Sequence, residues 1–226
     1  MLFKTRGIVL SHIRFKETSI IAKVFTEEFG LQSYVINGVR SSKGHNKIAL
    51  YQPMTLLDLV VYKKEQKSIQ RISESKCAYN YVSISYDVRK SAVALFWAET
   101  LSKTILEEGY EDRRKFEFVY QSLIALDSAV KGAENYPVIF LFGLSDYLGI
   151  QTPSPDELVE NYTFGQSVEK NRIEKYLMDV SKDNTYKSNI RTRLSALKCL
   201  ITFYQENFND LGKLKSLEVL HQVFAE

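Results

Sequence analysis

Arg40, Lys43 and Lys47 stand in the stretch NGVRSSKGHNKIALYQP (37–53), and no acidic residue occurs between Glu28 and Asp58. Cations spaced along a Gly- and Ser-containing loop suit a phosphate polymer. Gly38 and Gly44 let the backbone approach it closely, and Ser41 and Ser42 can donate to phosphate oxygens. The bland reading is a polar surface loop. Segmental charge favours the first. Residues 1–80 hold 13 Lys and Arg against 6 Asp and Glu, a net of +7, whereas the remaining 146 hold 17 against 21, a net of −4. Such asymmetry points to polyanion binding by the basic part.

Other chemistries find less. His12, His45 and His221 are the only histidines, and no His-x-x-x-His or His/Asp/Glu cluster offers a metal site. No Gly-x-x-x-x-Gly-Lys-Ser/Thr loop is present, which argues against nucleotide hydrolysis of the common kind. Glu107, Glu108, Glu111 and Asp112 cluster at an expected helix end. They read as a solvated turn, because a two-metal nuclease needs carboxylates converging from elsewhere. Arg191, Arg193 and Lys198 lie on one helix-forming run. They read as its polar face or, beside an apolar groove, as a grip for an acidic peptide tail. Cys77 and Cys199 stand too far apart to build a local disulfide or zinc site, which suits a reducing cytoplasm. The longest apolar run, VIFLFGL (138–144), falls short of the roughly 20 residues a bilayer needs, and MLFKTRGIVLSH carries no signal-peptide pattern. No membrane is expected.

These side chains must be held by something. Thr5–Phe15, Ser19–Thr26, Leu31–Asn37, Met54–Tyr62 and Ser68–Ser75 are rich in Ile, Val, Leu, Phe and Tyr and are separated by turn-prone groups, KKEQK among them. Five short strands predict a small Greek-key barrel over residues 1–80. An OB-fold is the commonest of that size, with an SH3-like barrel left open by strand counting. In such a barrel Arg14, Lys16 and Lys23 come from the first two strands, and Tyr34, from the third, is a candidate for stacking on bases. Residues 81–226 predict an all-α domain, so the class is α+β. Leu95, Ala98, Leu101 and Ile105 repeat at helical spacing towards a C-cap at Gly109. Phe116, Val119, Tyr120, Leu123 and Val130 mark a second helix, and Pro137 opens a third that is apolar on nearly every side. An irregular segment is expected near 149–172. Leu194, Leu197, Ile201, Tyr204 and Phe208 form a long helix, and 217–224 a last short one.

The order of these pieces resembles the RecO family of bacterial recombination mediators. TRGIVLSHIRFKETSIIAKVFTEEFG (5–30) is similar to its entry strands, and NGVRSSK (37–43) to its basic loop. LYQPMTLLDL (50–59) is similar to the strand that follows, and LKSLEVL (214–220) to its ending. The resemblance implies an N-terminal OB domain, a C-terminal helical domain and no catalysis. It implies binding of single- and double-stranded DNA and annealing of complementary strands. It further implies RecR as partner, contact with the C-terminal tail of single-strand binding protein (SSB), and, indirectly, loading of RecA, all in a bacterial cytoplasm at the nucleoid. Many members hold a four-cysteine zinc site after the central helix. Residues 149–172 contain no cysteine, so neither metal nor other cofactor is expected, and Leu158, Tyr162 and Phe164 are left to hold that segment by packing.

Overall fold

The computed structural model describes residues 1–40, 45–64, 67–106, 112–163 and 167–225. Its barrel strands are β1 (Leu2–Phe15), β2 (Ser19–Thr26), β3 (Gly30–Ile36), β4 (Leu56–Tyr62) and β5 (Ile69–Cys77). A four-residue helix, α1 (His45–Ile48), lies between β3 and β4. The strands close in the order β1-β2-β3-β5-β4, with β4 returning to β1. Every pairing is antiparallel except β3 with β5, which is parallel. This closed order is the OB arrangement, and it resolves the choice that strand counting left open.

Alternation makes the barrel. Alternate residues Val9, Ile20, Ala22, Val24, Leu57 and Leu59 pack into one cluster; of the residues beside them Asp58 is exposed and Lys23 half-buried, whereas Ile8, Leu10, Phe25 and Leu56 are buried as well. Two of the quoted motifs have steric reasons. Strand β1 needs Gly7, because a Cβ there would sit 2.7 Å from Leu59 Cδ1 and 2.8 Å from Val24 Cγ1. In FTEEFG, the Thr26 hydroxyl donates to the Gly30 carbonyl (2.8 Å) and accepts from the Phe29 N–H (3.2 Å), and Gly30 takes a φ of +62°.

The helices are α2 (Val88–Thr104), α3 (Arg113–Ser128), α4 (Tyr136–Leu148), α5 (Pro155–Tyr162), α6 (Ser167–Val180), α7 (Ile190–Asn207) and α8 (Ser216–Ala225). The chain divides into two compact units: residues 1–81 with 105–123, and 82–104 with 124–226. In the first, Phe116 tilts against Phe25 at a centroid distance of 5.6 Å, placing the start of α3 on the barrel. In the second, α4 is the buried centre. Trp97 of α2 stacks on its Phe140 at 4.2 Å, and the Tyr204 hydroxyl of α7 donates to its Leu141 carbonyl.

Two carboxylates organise the second unit. Asp127, 3% exposed, accepts N–H groups from Val82 (2.9 Å), Ser83 (2.8 Å) and Ile84 (2.9 Å). Its main-chain carbonyl accepts from the Lys90 ammonium at 2.8 Å. Burial pushes the Asp127 carboxyl up, but the donors from Val82, Ile84 and Ser83 outweigh it and hold the group below the usual carboxylate range. Glu99 accepts the N–H groups of Lys215 (3.0 Å) and Ser216 (2.8 Å), tying the LKSLEVL turn and the start of α8 to α2.

Several expectations need correction. Leu95 is 43% exposed; the buried face of α2 is Val93, Phe96, Trp97 and Leu101. Val130 lies beyond the end of α3 and is 94% exposed. α2 ends at Thr104, and the Gly109 cap, like Glu107, Glu108 and Glu111, falls outside the described residues. Residues 149–172 are more regular than expected. Ser154 and Glu157 form a capping box that starts α5, Leu158 and Val159 are buried, and α6 follows. Tyr162 donates to Glu206 at 2.6 Å, and Phe164 falls outside the described residues.

Candidate nucleic-acid interface

The expected cations sort into three places on the barrel. Arg40 donates its main-chain N–H to the Thr18 carbonyl (2.9 Å) and its guanidinium to the Lys16 carbonyl (3.4 Å). It thereby joins the loop after β3 to the β1–β2 turn. Lys16 is exposed in that turn, and Arg14 is exposed two residues earlier, opposite Ile20. Lys23 sits half-buried on the outer side of β2, in register with Ser11 and Ser33. Lys47 is exposed on α1 and lines a cavity of about 440 Å³ with Asn37, Tyr51, Arg71, Glu74 and Lys76. Lys43 falls outside the described residues.

Tyr34 is not a stacking residue. It is fully buried in the barrel core, and its hydroxyl has no hydrogen bond of good geometry among the described residues. The neighbouring Thr26 hydroxyl is committed to the Gly30 carbonyl. Burial, partly opposed by Thr26, pushes the phenol well above its usual range.

The outward rings are elsewhere. Phe15 and Tyr62, with Val35 and Ile69, line a second cavity of about 500 Å³. Its cations are Lys64, Lys67 and Arg71, and none of its described lining residues is acidic. Register explains the assembly. Ile13, Ile21, Val35, Arg71 and Tyr62 are successive partners across β1, β2, β3, β5 and β4, so they share one row on the outer surface. Val35 and Arg71 belong to both cavities, making one surface that runs from Lys47 to Lys67. The sequence carries a signal, since KKEQK with Arg71 four residues on holds several lysines against one glutamate, within a run that also has turn-forming composition.

Arg6, from the TRGIVL motif, has a structural position. Its guanidinium donates to both Glu27 oxygens (2.9 and 2.8 Å) and to Glu117 (2.7 Å), over the rings of Phe116 and Tyr120. Arg6 lines a third cavity, of about 460 Å³, whose Glu27, Glu28, Asp58 and Glu74 make it a poor seat for a polyanion. Among the described residues, no group of three His, Cys, Asp or Glu is placed to hold a metal, and no helix is long and apolar enough to cross a membrane.

On α7 the three cations do not form one rim. Arg191 and Lys198, seven apart, share a helix face, and Arg193 points away from it. Arg191 pairs with Glu169 at 3.0 and 3.2 Å, and Arg193 donates to the Ser188 carbonyl. Lys198 is exposed.

Fold and surface together define an OB barrel with a cationic, partly aromatic face, continued by an α-helical unit. Residues 1–81 match the family described as "Recombination protein O N terminal", and residues 85–156 match "Recombination protein O C terminal". Among relatives named DNA repair protein RecO, that of Flavobacterium psychrophilum is 34% identical, with all of both chains covered. That of Bacteroides fragilis is 31% identical over 99% of this chain and all of its own. The chain belongs to the RecO family of DNA repair and recombination proteins.

Proposed function

We propose that the chain is a non-enzymatic recombination mediator of the cytoplasm that binds single- and double-stranded DNA through the outer face of its barrel. It anneals complementary strands and, with RecR, helps load RecA on SSB-coated DNA. The observation that supports this most is the cavity of Lys64, Lys67 and Arg71, which has no acidic residue among its described lining and continues through Arg71 towards Lys47. Arg14, Lys16, Lys23 and Arg40 extend the cationic surface over the first two strands and the loop after β3, with Lys43 beyond the described residues. Annealing needs two polyanions held close, and cations lower their repulsion by displacing condensed counterions. These contacts address phosphates, so little sequence preference follows.

The rival reading, an adaptor gripping the SSB tail through Arg191, Arg193 and Lys198, draws less support, because the first two already have partners within their own unit. The deciding experiment is strand annealing on SSB-coated DNA with and without RecR. Acceleration that needs this protein supports the mediator role. Unchanged annealing, with DNA binding intact, refutes it.

A further inference from the structure

β5 has a strand on both sides only at its start. β3 meets it where Ser33–Val35 pair with Ile69–Arg71, whereas β4 follows it down to Cys77. From Ser73 to Cys77, among the described residues, no main-chain hydrogen bond reaches β3 or the loop after it. The barrel therefore carries a bare strand edge, a row of N–H and C=O groups ready to pair. We propose that a second copy of the chain docks on this edge, β5 against β5, in antiparallel register centred on Ser75.

Charge selects the occupant and the register. The edge reads SESKC (73–77), with Ser73, Glu74, Lys76 and Cys77 exposed and Ser75 half-buried. Among the described residues, neither Glu74 nor Lys76 has an ion pair of its own. An antiparallel pair centred on Ser75 sets Glu74 opposite Lys76 of the second copy, and Lys76 opposite Glu74 of the second copy. Opposite charges facing across strands stabilise a pair, and like charges oppose it. Centring on Glu74 or on Lys76 instead puts like charges face to face, so the short run is complementary to itself in one register. The same charges discourage strands of other sequence. The edge is short, which makes this a weak contact, below the size of a standard interface.

The consequence for annealing rests on the function proposed above. Two antiparallel strands in one sheet are related by a two-fold axis perpendicular to it, and that axis reverses every direction lying in the sheet. Each copy's cationic surface runs from Lys47 to Lys67. In the pair the two surfaces point opposite ways, so the nucleic acid strands they hold lie antiparallel. Complementary strands must lie that way to join.

The test follows sedimentation of the full chain without DNA, from about 1 to about 200 µM, where a contact this small should show a monomer–dimer equilibrium. Glu74→Lys and Lys76→Glu should each weaken association about tenfold, because two attractive pairs become two repulsive ones. An equimolar mixture of the two variants should regain the parent's association, since every lysine again meets a glutamate. Strand annealing should keep that order, slower with either variant and recovered in the mixture. Ser75→Cys in a Cys77→Ser background should form a disulfide-linked dimer under mild oxidation, the facing Cα atoms being about 5 Å apart. The parent should not, because its two Cys77 residues would lie about 13 Å apart along the strands. A monomer at every concentration overturns the interface, as does a mixture that associates no better than either variant. Opposite shifts in the two variants, the mark of net charge acting alone, overturn it too. Chains that associate as described but anneal no strands confirm the edge and sink the annealing reading instead, so the two failures are distinct.

Discussion

Asp127→Ala should unfold the second unit under much milder conditions. The substitution removes the acceptor for three main-chain donors, Val82, Ser83 and Ile84, all bonded at 2.8–2.9 Å to a side chain almost out of solvent. The Lys90 ammonium keeps its own acceptors, the main-chain carbonyl of residue 127 and the Ser83 hydroxyl. Each hydrogen bond to a charged acceptor is worth about 1.5–3 kcal/mol, and orphaned donors carry their own desolvation cost. These effects overlap and do not add in full, so the expected loss is about 3–5 kcal/mol. Measurement is simple because the chain has one tryptophan, Trp97, buried against Phe140 within that unit. Its emission during urea titration reports the second unit alone. The pH dependence supplies a second check. The folded carboxyl sits below its usual range, so its contribution is fully present above about pH 4, the ordinary Asp value, and is lost as pH falls through the lower folded value. The gap between the parent protein and Asp127→Ala should therefore shrink in acid. A loss under about 1 kcal/mol at neutral pH, or a gap that widens in acid, would refute this account of the network.

Replacing Lys64, Lys67 and Arg71 together with Ala should flatten the log–log salt dependence of single-strand binding by about 2, at about 0.7 per phosphate contact; relative to 1 M salt, affinity at 0.1 M then falls about 100-fold further behind the parent. A titration series across salt that shows a change smaller than one contact counts against these residues. Arg6→Ala should speed amide hydrogen exchange in β1 and in α3 up to Leu123, for a loss of about 1–2 kcal/mol from partly exposed pairs and ring contacts. It should leave oligonucleotide affinity within twofold, and a large affinity loss would return Arg6 to the binding surface. Tyr34→Phe removes a buried hydroxyl without a good partner, so barrel stability should hold or rise by about 1 kcal/mol, read by hydrogen exchange of the β2 and β3 amides.

The barrel was legible because period-two runs and turn residues are local signals, and β2 falls at its expected bounds. What stayed hidden depends on pairing across the chain. In β3 the run QSYVI offers Tyr34 to one face and Val35 to the other, and nothing local says which face is inside. The parallel contact of β3 with β5 decides it, and that joins Ser33–Val35 to Ile69–Arg71 across more than thirty residues. Pairing of β4 with β5 likewise sets Tyr62 beside Arg71, and Phe15 of β1 lines the same cavity, though the sequence leaves the three far apart. The basic loop is one-signed and stands out, while KKEQK, with a glutamate inside it, does not. α6 is a different case. Ile173, Tyr176, Leu177 and Val180 are buried at helical spacing, and a preceding stretch rich in Pro and Gly obscured a pattern that was there.

The ring of strands has one weak joint. β3 and β5 share only three register pairs, in the parallel geometry that is slightly less stable per residue, whereas β1 meets β4 along seven. Thermal fluctuation should part the cylinder first at that joint. Val35, Ile69 and Arg71 flank it and also face the concave surface above. Any polymer lying there touches both banks of the joint, so gripping cargo and keeping the cylinder shut become a single equilibrium.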